Sequence, residues 1–276
     1  MEYRRLGRTD EKISTIGMGT WKIGNFRTGK ERQAQVDALR KGIGLGINLI
    51  DTAEMYSRGR SEEVVAEAIK GAREDVFIAS KVSPENLRHD DVLRACRASL
   101  ARLGTSYIDL YQVHWPNPNI PIQETMAAME ELVREGAVRF IGVSNFSVAE
   151  TEEARGSLTK EEVVSNQVEY SMTNRYVEPE ILPYCVREKM TLIAYSPLAR
   201  GQIAASMPGA LLRKYEMTPA QAMLNWVTRN EHVVAIPKAA SFPHLEENAS
   251  SVSVRFTPAE YEQLTEAQAS YSVGRG

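Results

Sequence analysis

Eight short apolar runs, each followed by an amphipathic stretch, constrain the fold of this chain more than any other feature. They occupy residues 14–20, 48–52, 76–82, 108–115, 138–145, 163–170, 191–197 and 233–238. Their spacing of about 30 residues is the length of one strand–helix unit. Helical patterns lie between them, among others at 31–46, 61–72, 90–103 and 121–136. A run that is continuously apolar, rather than alternating, reads as a strand covered on both faces, as in a parallel sheet backed by helices. Eight such units predict a closed (β/α)8 barrel, a TIM barrel forming one α/β domain over residues 1–276, in preference to an open sheet.

The punctuation agrees. Ser147-Val-Ala-Glu150, Thr218-Pro-Ala-Gln221 and Thr257-Pro-Ala-Glu260 are capping boxes, which satisfy the orphan N–H groups of a helix start. Extra C-terminal helices are expected beyond the eighth run. Gly46, Gly104 and Gly136 fall where helices should end. Residues 2–6 and 12–14 flank Gly7-Arg-Thr-Asp10 and predict an N-terminal β-hairpin. The connection 200–215 is longer than the others, and long connections are more often functional than accidental. Gly42-Ile-Gly-Leu-Gly46 superficially resembles a dinucleotide fingerprint, but it closes a helix and leads into a strand. Phosphate binding needs the reverse order, so packing and helix termination are expected of it.

Composition narrows the class. The 276 residues are 43% hydrophobic, 25% charged and 7% aromatic, an ordinary soluble balance. Thirty-three basic against 36 acidic side chains leave a net charge of −3, too even for a nucleic-acid or membrane-surface protein. Two cysteines, Cys96 and Cys185, exclude a disulfide scaffold and a four-ligand zinc module. The opening Met-Glu-Tyr-Arg-Arg has no apolar leader, and no run approaches the length of a membrane span. A cytoplasmic protein is expected. No heptad seam or excess apolar face marks an interface, so a monomer is expected as well.

In a parallel barrel the strand C-termini open into the site. Polar or ionisable residues end seven consecutive runs: Asp51, with Tyr56 in the following loop, then Lys81, His114, Ser144 with Asn145, Gln167, Tyr195 with Ser196, and Lys238. Each has a bland alternative. Asp51 could cap a loop, Lys81 could snorkel to solvent, Trp21 and Trp115 could fill the barrel, and a lone histidine is usually structural, as expected of His89 and His232. Gathered at one rim, however, Asp, Lys, Tyr and His need mutual pairing and mark a site.

That set points to proton transfer. A free phenol, with a pKa of about 10, donates poorly at neutral pH. An ammonium about 4 Å away, at an effective dielectric of about 20, favours the phenolate by about 4 kcal/mol. This amounts to about three pKa units set against desolvation, and predicts a phenol acidified toward working pH. Asp51 would keep Lys81 protonated, and His114 would orient a carbonyl oxygen. Neither a serine or cysteine nucleophile with its own base nor a paired metal motif is found. A tyrosine acid facing a carbonyl suggests reduction of C=O, with the hydride left to a cofactor.

The motifs that carry these residues are Gly17-Met-Gly-Thr-Trp21, Asn48-Leu-Ile-Asp-Thr-Ala-Glu-Met-Tyr56, Ile78-Ala-Ser-Lys81, Leu110-Tyr-Gln-Val-His-Trp-Pro116, Gly142-Val-Ser-Asn-Phe146, Asn166-Gln167, Ala194-Tyr-Ser-Pro-Leu198 and Ile236-Pro-Lys238. In this order, from the hairpin to the helix near Asn248, the chain resembles the aldo-keto reductases, particularly their compact prokaryotic members. The resemblance implies that Tyr56 is the general acid, tuned by Lys81 and Asp51, and that His114 orients the substrate. It implies an extended nicotinamide cofactor across the barrel mouth. Ser144, Asn145 and Gln167 would then hold the carboxamide, and Tyr195 would stack on the nicotinamide ring. Ser196, Leu198, Arg200, Gly201 and Gln202 would line the pyrophosphate. Gly19, Thr20 and Trp21 would border the ribose and the substrate cavity, with Met55 and Trp115 as further substrate walls. Lys238, Ser241 and His244 would flank the 2′-phosphate, with Glu247 and Asn248 at the adenine, and Asp51 and Ala239 would be further cofactor contacts.

One position departs from the pattern. Members of the family that prefer NADP(H) commonly carry an arginine where this chain has His244. Losing a charge-assisted hydrogen bond, about 1.5–3 kcal/mol, lowers discrimination by about one to two decades. NADP(H) is still expected to be preferred, with NAD(H) usable, and a small carbonyl compound as substrate. A cofactor-sensing regulatory protein on the same fold is the alternative, though sensing does not need the tyrosine. A Schiff-base lysine fits poorly, because Asp51 would raise rather than lower the Lys81 pKa.

Overall fold

In the computed structural model, which describes residues 1–201, 207–238 and 241–273 with side chains through 267, the apolar runs become eight parallel strands. After the antiparallel hairpin β1 (Tyr3–Arg5) and β2 (Lys12–Ser14) come β3 (Met18–Gly19), β4 (Leu49–Asp51), β5 (Phe77–Val82) and β6 (Ile108–Val113). They are followed by β7 (Val138–Ser144), β8 (Val163–Glu169), β9 (Thr191–Tyr195) and β10 (Val233–Ala235). Neighbours in sequence are neighbours in the sheet from β3 to β10. A parallel bridge between Ile16 and Ala235, with Gly17 N–H donating to the Ala235 carbonyl at 2.8 Å, closes the ring.

Helices follow the strands: α1 (Gly29–Gly44), α2 (Arg60–Ala68), α3 (His89–Leu103), α4 (Ile122–Arg134), α5 (Val148–Gly156) and α6 (Ile181–Arg187). The rest are α7 (Gly209–Tyr215), α8 (Pro219–Val227), α9 (Phe242–Ser250) and the extra C-terminal α10 (Pro258–Val273). The long connection at 200–215 is therefore not all loop, since α7 fills its second half. All three capping boxes form: Ser147 with Glu150, Thr218 with Gln221, and Thr257 with Glu260. Gly42 packs so closely on Met18 that a Cβ would lie 2.1 Å from its sulfur, and Gly46 takes a left-handed φ of 84° just past α1. The glycine-rich stretch is a packing and termination device. No described helix is long and apolar enough to cross a membrane.

Period-two alternation splits the apolar residues into two layers. Leu49, Phe77, Ala79, Leu110, Val164, Ile193 and Val234 fill the barrel, and Leu6 and Ile13 of the hairpin join them. Ile50, Ile78, Val82, Tyr111 and Val113 face the helices instead. Polar residues appear where the inward rows run on: Asp51 follows Leu49, Lys81 follows Ala79, and Gln112 follows Leu110, two residues apart in each case. The barrel core thus delivers these side chains to one end.

Candidate active site

Lys81 is the centre of this end. Its Nζ donates to Asp51 Oδ1 at 2.7 Å, to the Thr52 carbonyl at 2.9 Å and to Tyr56 Oη at 3.2 Å. An ammonium has three donors, and all three are used. The second oxygen of Asp51 accepts from Gln167 Nε2 at 2.6 Å across the barrel. The lysine side chain is fully buried and that of Asp51 is 2% exposed, so each charge depends on the other. Burial opposes the charged lysine, but Asp51 and then Tyr56 prevail, and its pKa lies above the ordinary value.

Tyr56 corrects the sequence-based expectation of an acidified phenol. Burial pushes its pKa up, Lys81 pulls it down, and Asp51 pushes it up again; the net shift is upward. Desolvation of the buried phenol, together with the nearby carboxylate, outweighs the pull of the ammonium. The resting phenol is protonated, which is the state a proton donor requires. The His114 ring meets the tyrosine edge-on, with centroids 5.6 Å apart. Burial and the Lys81 charge push the imidazole pKa down to about 3, so it is neutral. Its Nδ1 is buried without a partner. A buried N–H without an acceptor is costlier than an unfilled lone pair, which assigns the proton to Nε2.

Tyr56 begins a short turn, Tyr56–Gly59, in which Ser57, Arg58 and Gly59 take left-handed φ values of 51°, 57° and 86°. Two of these are not glycine, at a cost of about 1–3 kcal/mol each that the surroundings must offset. Ser57 Oγ donates to the Ile23 carbonyl at 2.7 Å and also bonds Asn25. Glu54, two residues before the tyrosine, accepts from Ser83 N–H at 2.7 Å and Asn86 Nδ2 at 3.1 Å.

A second set lies beside the first. Ser144 Oγ donates to the Gln167 carbonyl at 2.9 Å, and Asn145 Nδ2 donates to Ser144 Oγ and the His114 carbonyl, both at 3.0 Å. Tyr195 Oη donates to Asn145 Oδ1 at 2.9 Å. Asn145 is left-handed, as are Ser196, Ala199, Arg200 and Gly201 beyond β9. Thr20 Oγ1 is spent on internal bonds, donating to the Asp51 carbonyl and accepting from Ser61. Gly19 ends β3. Leu198 is partly buried against the outer core.

On the far side of the mouth, burial and the nearby Lys22 charge lower the Lys238 pKa. Two ammonium groups that repel one another suit an anion between them. Ser241 stands at the N-cap position of α9 without a side-chain capping bond, and His244 is exposed in the first turn of that helix. Glu247 accepts from Thr218 Oγ1, while Asn248 is buried on the inner face of α9. Gln202 and Ala239 lie outside the described residues. Trp21, Met55 and Trp115 are 50%, 46% and 46% exposed, so the tryptophans are rim walls and not barrel filling. The sequence reading missed Lys22, Glu54, Ser57, Glu62 and Arg102. Two of these had a signal, since Lys22 follows Trp21 directly and Glu54 lies inside the motif that ends at Tyr56.

A profile of the Aldo/keto reductase family matches residues 15–269. The chain belongs to that family. The methylglyoxal reductase YeaE of Escherichia coli K12 is 40% identical over 264 residues, covering 94% of this chain and 92% of the relative. The crystal structure of the thermostable aldo-keto reductase Tm1743, in complex with the inhibitor epalrestat, superposes with a TM-score of 0.92. It is 42% identical and covers 97% of this chain and 100% of that one. An aldo-keto reductase from Klebsiella pneumoniae in complex with NADPH superposes at 0.89, with 38% identity over 98% of this chain and 95% of that one. As an aldo-keto reductase, the chain is an oxidoreductase acting on carbonyl compounds.

Proposed function

We propose that this aldo-keto reductase reduces small aldehydes and ketones with NADPH, using Tyr56 as general acid. The carrying observation is that the Lys81 ammonium bonds Asp51 and Tyr56 at once while the neutral His114 ring meets the phenol edge-on. The residues also fit a nicotinamide dinucleotide. Ser144, Asn145 and Gln167 form a hydrogen-bonding set suited to a carboxamide, Tyr195 offers a half-buried ring, and Lys22 and Lys238 suit a phosphate. Bound NADPH would supply a hydride to the carbonyl carbon.

The carbonyl oxygen sits between Tyr56 Oη and His114 Nε2. The imidazole donates a hydrogen bond that orients it, and the phenol donates the proton as negative charge develops. The phenolate left behind is met by Lys81, whose charge Asp51 secures. In the reverse direction the phenolate removes a proton from an alcohol. Burial exacts its cost mainly on the phenolate, so the Lys81 contact acts where charge appears during reaction.

The similarity to YeaE, named a methylglyoxal reductase, supports a small 2-oxoaldehyde as substrate, and the walls Trp21, Met55 and Trp115 support aromatic aldehydes. NADPH is favoured over NADH less strongly than it would be with arginine at His244. The two cysteines, both free and buried, suit a reducing cytoplasm, and a monomer suffices for the site. The test follows loss of NADPH absorbance with methylglyoxal and with an aromatic aldehyde. Wild type turns over, and Tyr56→Phe falls by about 10²-fold or more while still binding NADPH. Turnover that survives Tyr56→Phe overturns the reading.

A further inference from the structure

Tyr56 and Lys81 come from different elements, and their hydrogen bond, 3.2 Å long, has little slack. Two carboxylates bracket the tyrosine, Glu54 before it and Glu62 after it, and two serines bracket the lysine on β5, Ser80 and Ser83. The pairs are joined. Glu54 accepts from Ser83 N–H, and Glu62 Oε1 accepts from Ser80 Oγ at 2.6 Å. The other oxygen of Glu62 accepts from Arg102 Nε at 2.6 Å, and the carboxylate is fully buried. The Arg102 side chain also packs on the left-handed turn itself, since a Cβ on Gly59 would lie 2.6 Å from its Cδ.

We propose that Glu62, held by Arg102, is a positioning residue that fixes the distance between the Tyr56 phenol and the Lys81 ammonium through Ser80. This rests on the reading of Tyr56 as the acid. The turn that carries the phenol cannot hold its left-handed backbone by local preference, and it runs directly into the first turn of α2, where Glu62 sits. The bond to Ser80 ties that helix start to the residue adjoining Lys81. A buried ion pair is a poor source of stability compared with apolar packing, but it is highly directional. Displacement of a reacting group by about 1 Å can cost about 10²-fold in rate.

The experiment compares Ser80→Ala, Glu62→Gln, Arg102→Met and Arg102→Lys with wild type and Tyr56→Phe. For each, kcat per NADPH-binding site, KM, NADPH affinity by fluorescence and the pH profile of kcat are measured. Ser80→Ala leaves the Glu62–Arg102 pair intact and guards against a Glu62 variant that fails to fold. Expected are a kcat loss of about tenfold for Ser80→Ala and more for Glu62→Gln, with NADPH affinity retained. The alkaline limb of the profile moves in both, and Arg102→Lys recovers part of what Arg102→Met loses. If Ser80→Ala and every folded Glu62 variant keep the wild-type kcat per site and profile while Tyr56→Phe is inactive, positioning by Glu62 is wrong and the acid assignment stands. If Tyr56→Phe is active, both fall.

Discussion

Lys81 and Asp51 form a fully sheltered ion pair, 2.7 Å apart, in which the lysine has no donor left over and the carboxylate has one oxygen turned to Gln167. Removing the ammonium leaves that carboxylate with Gln167 alone. Lys81→Met is expected to lose about 3–5 kcal/mol of stability, and turnover falls by about 10²-fold or more. Adding Asp51→Asn recovers most of the stability and none of the turnover. Thermal unfolding and the NADPH assay separate the two effects; a double variant that regains activity would contradict the role given to the pair.

The upward shift of Tyr56 is expected to set the pH dependence of reduction. The phenol must be protonated to donate, and its pKa lies above the ordinary value of about 10. Reduction is therefore expected to hold level from pH 6 through 9, and to fall only as the phenol ionises. Oxidation of the alcohol, which needs the phenolate, rises across the same interval. A reduction limb centred near neutral pH would show that another group controls proton delivery.

His114 predicts a stability change of known sign. Its folded pKa of about 3 lies below the unfolded value of about 6.5, so the unfolded chain takes up a proton first as pH falls. Its contribution is complete above pH 6.5 and is lost toward pH 3, at about 1.4 kcal/mol per pH unit. Denaturant midpoints of wild type should fall between pH 6.5 and 4 more steeply than those of His114→Gln. Parallel curves would mean that the imidazole is not the group responsible.

Position 244 is expected to influence cofactor choice. His244 is exposed in the first turn of α9, close in sequence to Lys238. His244→Arg adds a permanent guanidinium there and is expected to raise the NADPH-to-NADH ratio of kcat/KM by about 10–100-fold. The gain should shrink at high salt. An unchanged ratio would remove His244 from the phosphate site.

Asn145 tests the carboxamide set. Its left-handed φ of 63° suits asparagine, and its side chain ties His114, Ser144 and Tyr195 together. Asn145→Gly keeps the backbone and loses the ties, whereas Asn145→Ala loses both. NADPH affinity should weaken in each, with the greater loss of thermal stability in Asn145→Ala. Equal affinity to wild type in Asn145→Gly would show that the ties do not serve the cofactor.

Strand positions, helix caps and the residues at the barrel mouth were legible in the sequence because they are local. A strand inside a ring of helices must be apolar throughout, a capping box spans four residues, and the polar residue two beyond an inward apolar one inherits its direction. Asp51, Tyr56, Lys81 and His114 could therefore be placed at one rim from spacing and motif. What their neighbours do to them could not be read this way. The upward shift of Tyr56 depends on how many walls close around it, and the Glu62–Arg102–Ser80 link joins three elements up to 40 residues apart. The approach of Lys22 to Lys238 exists only because the barrel closes. Burial and charge–charge distance are properties of packed space, so only the tertiary structure decided them.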